Sequence, residues 1–412
     1  MSTKEFDLVI FGATSFVGQL VCDYLLNEAI GAHLNWAMAG RSQSKLRKIK
    51  NELGEKAASL PLFIADSLDE IALKNLCQRT NLIVSTVGPY ALYGETLIKV
   101  CAQTGTDYCD LTGEPQWIRR MTLAYEREAE ASGARIVNCC GFDSMPSDLG
   151  VKFLQQNALK KFGTTCDKVR LRVKSIKGGA SGGTIASIMN IYKEAADDEE
   201  LKEELKNLYS LCPEGHVNKV RQRLINVEYD KVFKSWVSPF VMAAINTRVV
   251  LRSNALMSPP YAKQFHYDEG TLAGDGKKGR KKAKRLAWLS KLGMSAMTLP
   301  LARFLILKLF LPKPGEGPSR REQNDGFYDL RLLGITEHGD EILAKVAGDK
   351  DPGYGSTAKM LTQAAISLRL EVSESALPGG FWTPATAFGD KLFDRLQSHA
   401  GISFEVLSTK RG

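Results

Sequence analysis

The sequence predicts an α/β protein built on a doubly wound parallel sheet, and three observations carry that expectation. Short β-branched apolar runs alternate with segments of helical periodicity from residue 7 to residue 139, the pattern of strands buried on both faces and crossed by helices. A glycine-rich turn, Gly12-Ala13-Thr14-Ser15-Phe16-Val17-Gly18, separates the first run from the first helical segment. After about Ser147 the rhythm changes, and strands begin to alternate apolar and polar residues. A length of 412 residues suits two domains, or one with a large insertion.

Asp7 to Phe11 (DLVIF) reads as a buried parallel strand ending at Gly12, and QLVCDYLLNEA after Gly18 follows helical spacing. Leu34 to Ala39 is a second strand, with Gly40-Arg41-Ser42 opening a helix from Lys45 to Leu53. Leu60 to Ile64 is the third, followed by Asp66; Leu82 to Val87, Thr106 to Asp110 and Ala134 to Cys139 are the fourth to sixth. Beyond Ser147, Val169 to Ile176 alternates as a half-exposed strand, then comes the turn 178–183 (GGASGG) and a helix from Thr184. Asp197 to Leu211 reads as a charged, exposed helix, Tyr328 to Leu333 and Glu341 to Val346 as antiparallel strands, and Tyr354 to Leu370 as a helix with a small-residue face. Lys277 to Arg285 and Leu311 to Pro318 have the composition of linkers.

Gly12 permits a tight turn and Gly18 a close helix–strand contact, so a dinucleotide pyrophosphate can rest on the backbone of residues 12–18 at the positive end of a helix. Ser15 stands where the usual pattern has a middle glycine. Strand two ends in Gly40-Arg41 rather than in a carboxylate. Arg41, backed by Ser42 and Lys45, can pair with the 2′-phosphate of NADP; the alternative is a solvated arginine at a helix start. NADP(H) is the expected cofactor, with NAD(H) second. Val87, Gly88 and Pro89 would pass beside its ribose and nicotinamide at the carboxyl edge of the sheet, and Asp66 joins the same set. Tyr90 or Tyr93 can then face a substrate, or both can be packed tyrosines. In GFDSMPSD, after strand six, Asp143 and Ser144 can bind or protonate a substrate while Ser147 or Asp148 caps the next helix. Tyr90, Asp143 and Ser144 are therefore the catalytic candidates. Asp110 and Glu114 form a further carboxylate pair, as acid and base or as helix caps of the DLTGEP turn.

Other chemistries find little support. No tyrosine has a lysine four positions later, and the five histidines are far apart with no His-Glu-x-x-His, so no metal site is expected. Gly179-Ala-Ser-Gly-Gly183 matches a hydrolase elbow literally, but four glycines in six residues make that match easily, and Ser181 reads as part of a plain turn. Eight cysteines form no CxxC, and no leader with a long apolar core opens the chain, which suits reduced thiols in the cytoplasm. The net charge is +9, from 55 basic against 46 acidic residues; without the seven basic residues of Lys277 to Arg285, 48 stand against 46. So local an excess argues against a nucleic-acid face. It adjoins the apolar stretch Leu286 to Leu311, and the segment 277–311 is either an attachment site for an anionic membrane surface or a core or dimer-interface helix after a solvated loop.

FGATSFVG, AGRS..KL, STVGPY..YG, GTDYCDLTGEP, CGFDSMPSDLG, INTRVVLRSNAL, PKPGEGPSR and GGFWTPATAFGDKL together resemble the saccharopine dehydrogenase-like oxidoreductases, nearest the bacterial trans-acting enoyl reductase branch. The resemblance spans nearly the whole chain. It implies a Rossmann domain at 1–147, a second α+β domain on a mixed sheet at 148–353, and a C-terminal segment, 354–412, that packs back on the first. It also implies an NADP(H)-dependent oxidoreductase acting on an apolar, lipid-like or carrier-bound acyl (enoyl-type) substrate. A homodimer is the expected assembly. Two other readings stay open: a catalytically silent nucleotide-binding scaffold or sensor at a membrane, because no proton donor is obvious, and an amino-acid dehydrogenase of the saccharopine type.

Overall fold

The computed structural model describes residues 4–178, 182–217, 220–298 and 317–412. Seven parallel strands form the first sheet: β1 (Phe6–Phe11), β2 (Trp36–Gly40), β3 (Leu62–Ile64), β4 (Thr80–Ser85), β5 (Asp107–Asp110), β6 (Arg135–Val137) and, from late in the chain, β13 (Gly380–Trp382). Their order is β13-β6-β5-β4-β1-β2-β3. The chain runs outward from β1 to β3, then returns to β4 and runs outward on the other side. The reversal between β1 and β4 opens a crevice at their carboxyl ends, the usual ligand position in such sheets. Leu8, Val9, Ile10, Leu82, Ile83 and Val84 are buried in these central strands, which is why they read as continuous apolar runs rather than alternating ones.

The second sheet is mixed, in the order β14-β12-β11-β7-β10-β9-β8. Its strands are β7 (Lys168–Lys177), β8 (Glu228–Asp230), β9 (Ser235–Pro239), β10 (His266–Gly274), β11 (Phe327–Ile335), β12 (Glu341–Gly348) and β14 (Ile402–Lys410). Only β7 and β10 pair in parallel; the other pairs are antiparallel. The helix Met145–Phe162, which leaves β6, packs on this sheet, with Gly150 against Val346 and Leu332. After β12 the chain divides its loyalty. The helix Thr357–Leu370 covers β1, β4 and β5 of the first sheet and β13 joins its edge, whereas β14 pairs with β12 of the second.

Three elements differ from expectation. The basic segment is not a linker: it opens the long helix Gly276–Thr298. Lys, Arg and Ala are good helix formers, and Ala283 and Ala287, four apart, are buried on its inner side where the helix meets β9 and β10. Arg280 lies over the Trp236 ring at 5.2 Å. The expected apolar continuation from residue 299 to 311 lies outside the described residues. The charged helix is short, Glu199–Lys206; Asn207 ends it by accepting from the Tyr209 N–H at 2.9 Å, an Asx turn that competes with helix. Tyr354 lies in an irregular turn, Pro352–Ser356, before the helix Thr357–Leu370.

Candidate active site

The turn after β1 is built for close backbone approach. Gly12 has φ +87°, and a Cβ there would stand 2.6 Å from Val87 Cγ2 and 2.8 Å from Thr86 Oγ1, so only glycine fits. Its N–H and that of Ala13 both donate to the Ala39 carbonyl, stitching the turn to β2. Ser15, in the glycine position of the usual pattern, caps the helix Phe16–Asn27: its Oγ accepts from the Gly18 N–H at 2.9 Å and lies 2.9 Å from Thr86 Oγ1. A Cβ on Gly18 would come within 2.2 Å of the Gly12 carbonyl oxygen. The first N–H groups of a helix have no partner inside it. With Gly18 satisfied by Ser15, those of Phe16 and Val17 show no bond among the described residues and can meet an anion at the positive helix end. Thr14 completes the turn.

Gly40 ends β2, and exposed Arg41 follows it. Ser42 caps the helix Gln43–Glu52, accepting from the Lys45 N–H at 3.4 Å, so two cations flank one helix start. Gly40 pairs with Ile64 of β3, which brings Asp66 to the neighbouring strand end. Asp66 is half-buried and accepts from the Leu68 N–H at 3.0 Å. Arg41, Lys45 and the open N–H groups of the first turn form a donor set that fits a phosphorylated dinucleotide.

At the ends of β4, β5 and β6 the expected residues divide. Val87-Gly88-Pro89 lies at the crevice, with a cis Gly88–Pro89 peptide. Tyr90 is a packed tyrosine. It is buried beside Trp117, and its hydroxyl donates to the Ser85 carbonyl at 3.0 Å. Ser144 is turned away as well: fully buried, it donates to Asn246 Oδ1 at 2.9 Å, within a polar core where Asn246 also donates to Ser147 and Glu269. Asp148 is no helix cap. Its carboxylate accepts from the Ser253 hydroxyl at 2.6 Å and the Ala385 N–H at 2.8 Å, tying three segments together. Asp143 alone of the catalytic candidates keeps its carboxyl among the loops that follow β5 and β6. It is half-buried, accepts from the Thr184 hydroxyl at 3.4 Å and lies 3.4 Å from where a Cβ of Gly113 would be. Burial, weakly opposed by the Thr184 bond, pushes its carboxyl up to about 6.

The other pair also takes unexpected roles. Asp110 is buried and accepts from the N–H groups of Thr112 and Cys139 and from Asn138. Burial still raises it to about 7. Cys139, held by that bond, has φ +64°, a region few non-glycine residues occupy and one often found near functional sites. Glu114 accepts from the N–H groups of Tyr90 and Ala91 and from the Ser187 hydroxyl. Thr184 and Ser187 belong to the helix Gly182–Ala196 after β7, which therefore lies across the carboxyl edge of the first sheet. Its first residue donates to the Tyr354 hydroxyl at 2.8 Å, and the Tyr354 ring meets Phe16 edge-on at 5.0 Å. Sequence reading missed Thr184, Ser187 and Tyr354; the visible signal was two hydroxyls three apart in an apolar helix. Ser181 lies outside the described residues. Among the described residues no cluster of His, Cys, Asp and Glu is arranged for a metal ion.

Comparison with known proteins identifies the family and the fold. The family model of the saccharopine dehydrogenase NADP binding domain matches residues 8–137. A putative trans-acting enoyl reductase of Mycobacterium tuberculosis is 36% identical over 424 residues, covering 98% of each chain. A trans-acting enoyl reductase of Mycobacterium bovis is 35% identical over 99% of this chain and 98% of its own length. Saccharopine dehydrogenase (L-Glu forming) of Saccharomyces cerevisiae shares the fold across 98% of this chain and 99% of its own, with a TM-score of 0.52 at 14% identity.

Proposed function

This chain belongs to the saccharopine dehydrogenase-like oxidoreductases, in the branch of the trans-acting enoyl reductases, and from that premise we propose that it reduces an enoyl-type acyl substrate with NADP(H) as its preferred cofactor. Bound NADPH supplies a hydride; the residues of the chain bind it, orient it and deliver the matching proton. In this reading the backbone of residues 12–18 receives the pyrophosphate, Arg41, Ser42 and Lys45 receive the 2′-phosphate, and Asp66 and Val87-Gly88-Pro89 border the ribose and nicotinamide. Asp143 is the proton donor. The observation that supports this role is its half-buried place beside Gly113 of the loop after β5, bonded to Thr184, with a carboxyl that burial raises to about 6, so that the acid form is available close to neutral pH. A proton must reach the carbon beside the one that accepts hydride. The test is NADPH oxidation against α,β-unsaturated acyl thioesters, ketones and imines. Turnover of the thioesters is expected. Turnover of imines or amino acids alone would favour the amino-acid dehydrogenase reading, and nucleotide binding without turnover the silent scaffold.

The same reading places the reaction at an anionic membrane surface. Along the helix Gly276–Thr298, Trp288, Leu289 and Leu292 are 61%, 44% and 50% exposed, directly after the seven exposed basic residues of 277–285. Exposed apolar side chains beside a basic cluster fit an interface of anionic lipid. This helix touches the helix Gly182–Ala196 over the crevice, a short path for an apolar or carrier-bound chain.

A further inference from the structure

We propose that Glu114 is a positioning residue that fixes the Gly88–Pro89 turn against the nicotinamide end of the cofactor and locks that turn to the helix Gly182–Ala196. The proposal rests on the cofactor reading above. Glu114 is fully buried, in a place where a carboxylate persists only if its oxygens are met by donors. Oε1 accepts from the Tyr90 N–H at 2.7 Å and from the Ser187 hydroxyl at 2.6 Å, and Oε2 accepts from the Ala91 N–H at 3.0 Å. Two of those donors directly follow Pro89; the third comes from the half of the molecule built on the second sheet.

The direction of the carboxylate is the telling feature. Glu114 is the N-cap residue of the helix Pro115–Ser132, yet its side chain makes no capping bond to that helix. A residue in this position ordinarily gains by satisfying the N–H groups of its own first turn. Glu114 forgoes that local gain and turns to a different loop, while the Thr112 hydroxyl holds its N–H at 3.2 Å. Helical spacing then puts Thr184 and Ser187 on one face, so Thr184 meets Asp143 and Ser187 meets Glu114. One helix thus touches both the proposed proton donor and the residue that sets the cofactor turn. Docking of that helix and placement of the nicotinamide become a single event.

Binding to the full chain separates this role from a general structural one. Calorimetry would compare NADPH with adenosine 2′,5′-bisphosphate, which carries the phosphorylated adenosine but no nicotinamide. The wild type should bind both; if it binds neither, the cofactor reading fails, and the present proposal with it. Ser187→Ala and Glu114→Gln should keep bisphosphate affinity within about twofold, yet weaken NADPH by about fivefold or more and alter the fluorescence of the bound reduced nicotinamide. Ser187→Thr, which retains the hydroxyl, should restore NADPH binding. Equal weakening of both ligands, or unchanged NADPH affinity in both variants, would overturn the proposal.

Discussion

Of the catalytic candidates Asp143, Tyr90 and Ser144, Tyr90 and Ser144 are buried in bonds to Ser85 and Asn246, whereas Asp143 is half-buried and bonded to Thr184. Sequence position identifies a loop but not the side of it that a side chain takes. Tyr90 finds the Ser85 carbonyl and Ser144 finds Asn246, partners distant in sequence and invisible there. If Asp143 donates the proton, turnover falls as pH rises above about 6, because the donating form is then lost. Asp143→Asn should reduce turnover by roughly 10²–10⁴ and abolish that limb of the pH profile, with NADPH affinity unchanged. Full activity in the variant would remove Asp143 from the mechanism. Arg41, in contrast, lies exposed directly after strand two, where a cation can meet a 2′-phosphate as the sequence suggests. Arg41→Ala should weaken NADPH by about tenfold or more and leave NADH unaffected; calorimetry with both nucleotides checks it. Gly12→Val should abolish binding of either, since its side chain would collide with Thr86 and Val87.

Elements were legible where one periodicity dominated and obscured where two signals competed. The first six strands of the first sheet appeared as apolar runs, whereas β13 (Gly380–Trp382) did not. The basic segment looked like a linker because its charge hid Ala283, which with Ala287, two residues past the segment, is buried where the helix meets the second sheet. Asp148 looked like a cap because it stands at a helix start, whereas it joins that helix to Ser253 and Ala385. This tie has a consequence for stability. Burial raises Asp148 to about 6, above its usual value of 3.8, so the folded state holds the proton more tightly than the unfolded chain. Its contribution is complete at low pH and is lost as pH rises through about 6, about 2–3 kcal/mol in all. Asp110 and Asp143 are shifted in the same direction. Urea unfolding of wild type and Asp148→Asn at about pH 4 and about pH 7 isolates the Asp148 share: the variant should lose less stability over that interval. An equal loss would show that Asp148 does not titrate as its burial requires.

At the scale of the whole molecule, the chain builds its crevice by bringing late residues back to early ones. Tyr354 reaches Phe16, the helix Thr357–Leu370 covers β1, and β13 extends the first sheet. No local pattern signals the parallel register of three residues at 380–382 against β6; the return of the C-terminal segment was expected only through family resemblance. No described helix is long and apolar enough to cross a membrane, so attachment to lipid would rest on the exposed face of Gly276–Thr298. The wild type should sediment with anionic vesicles, release with salt, and fail to bind when the seven basic residues become Gln or Ser. A protein that stays in the supernatant at low salt, and instead pairs through this face with a second copy, would make the helix a dimer element. The central claim concerns the reaction, and isotope transfer tests it most directly. An α,β-unsaturated acyl thioester is incubated with the protein and NADPH deuterated at the transferable position, and the product is weighed by mass spectrometry. A saturated thioester carrying one cofactor-derived deuterium is the predicted result, with a second label appearing only when the solvent is D2O. A protein that binds NADPH yet leaves every such thioester unsaturated and unlabelled would contradict the account.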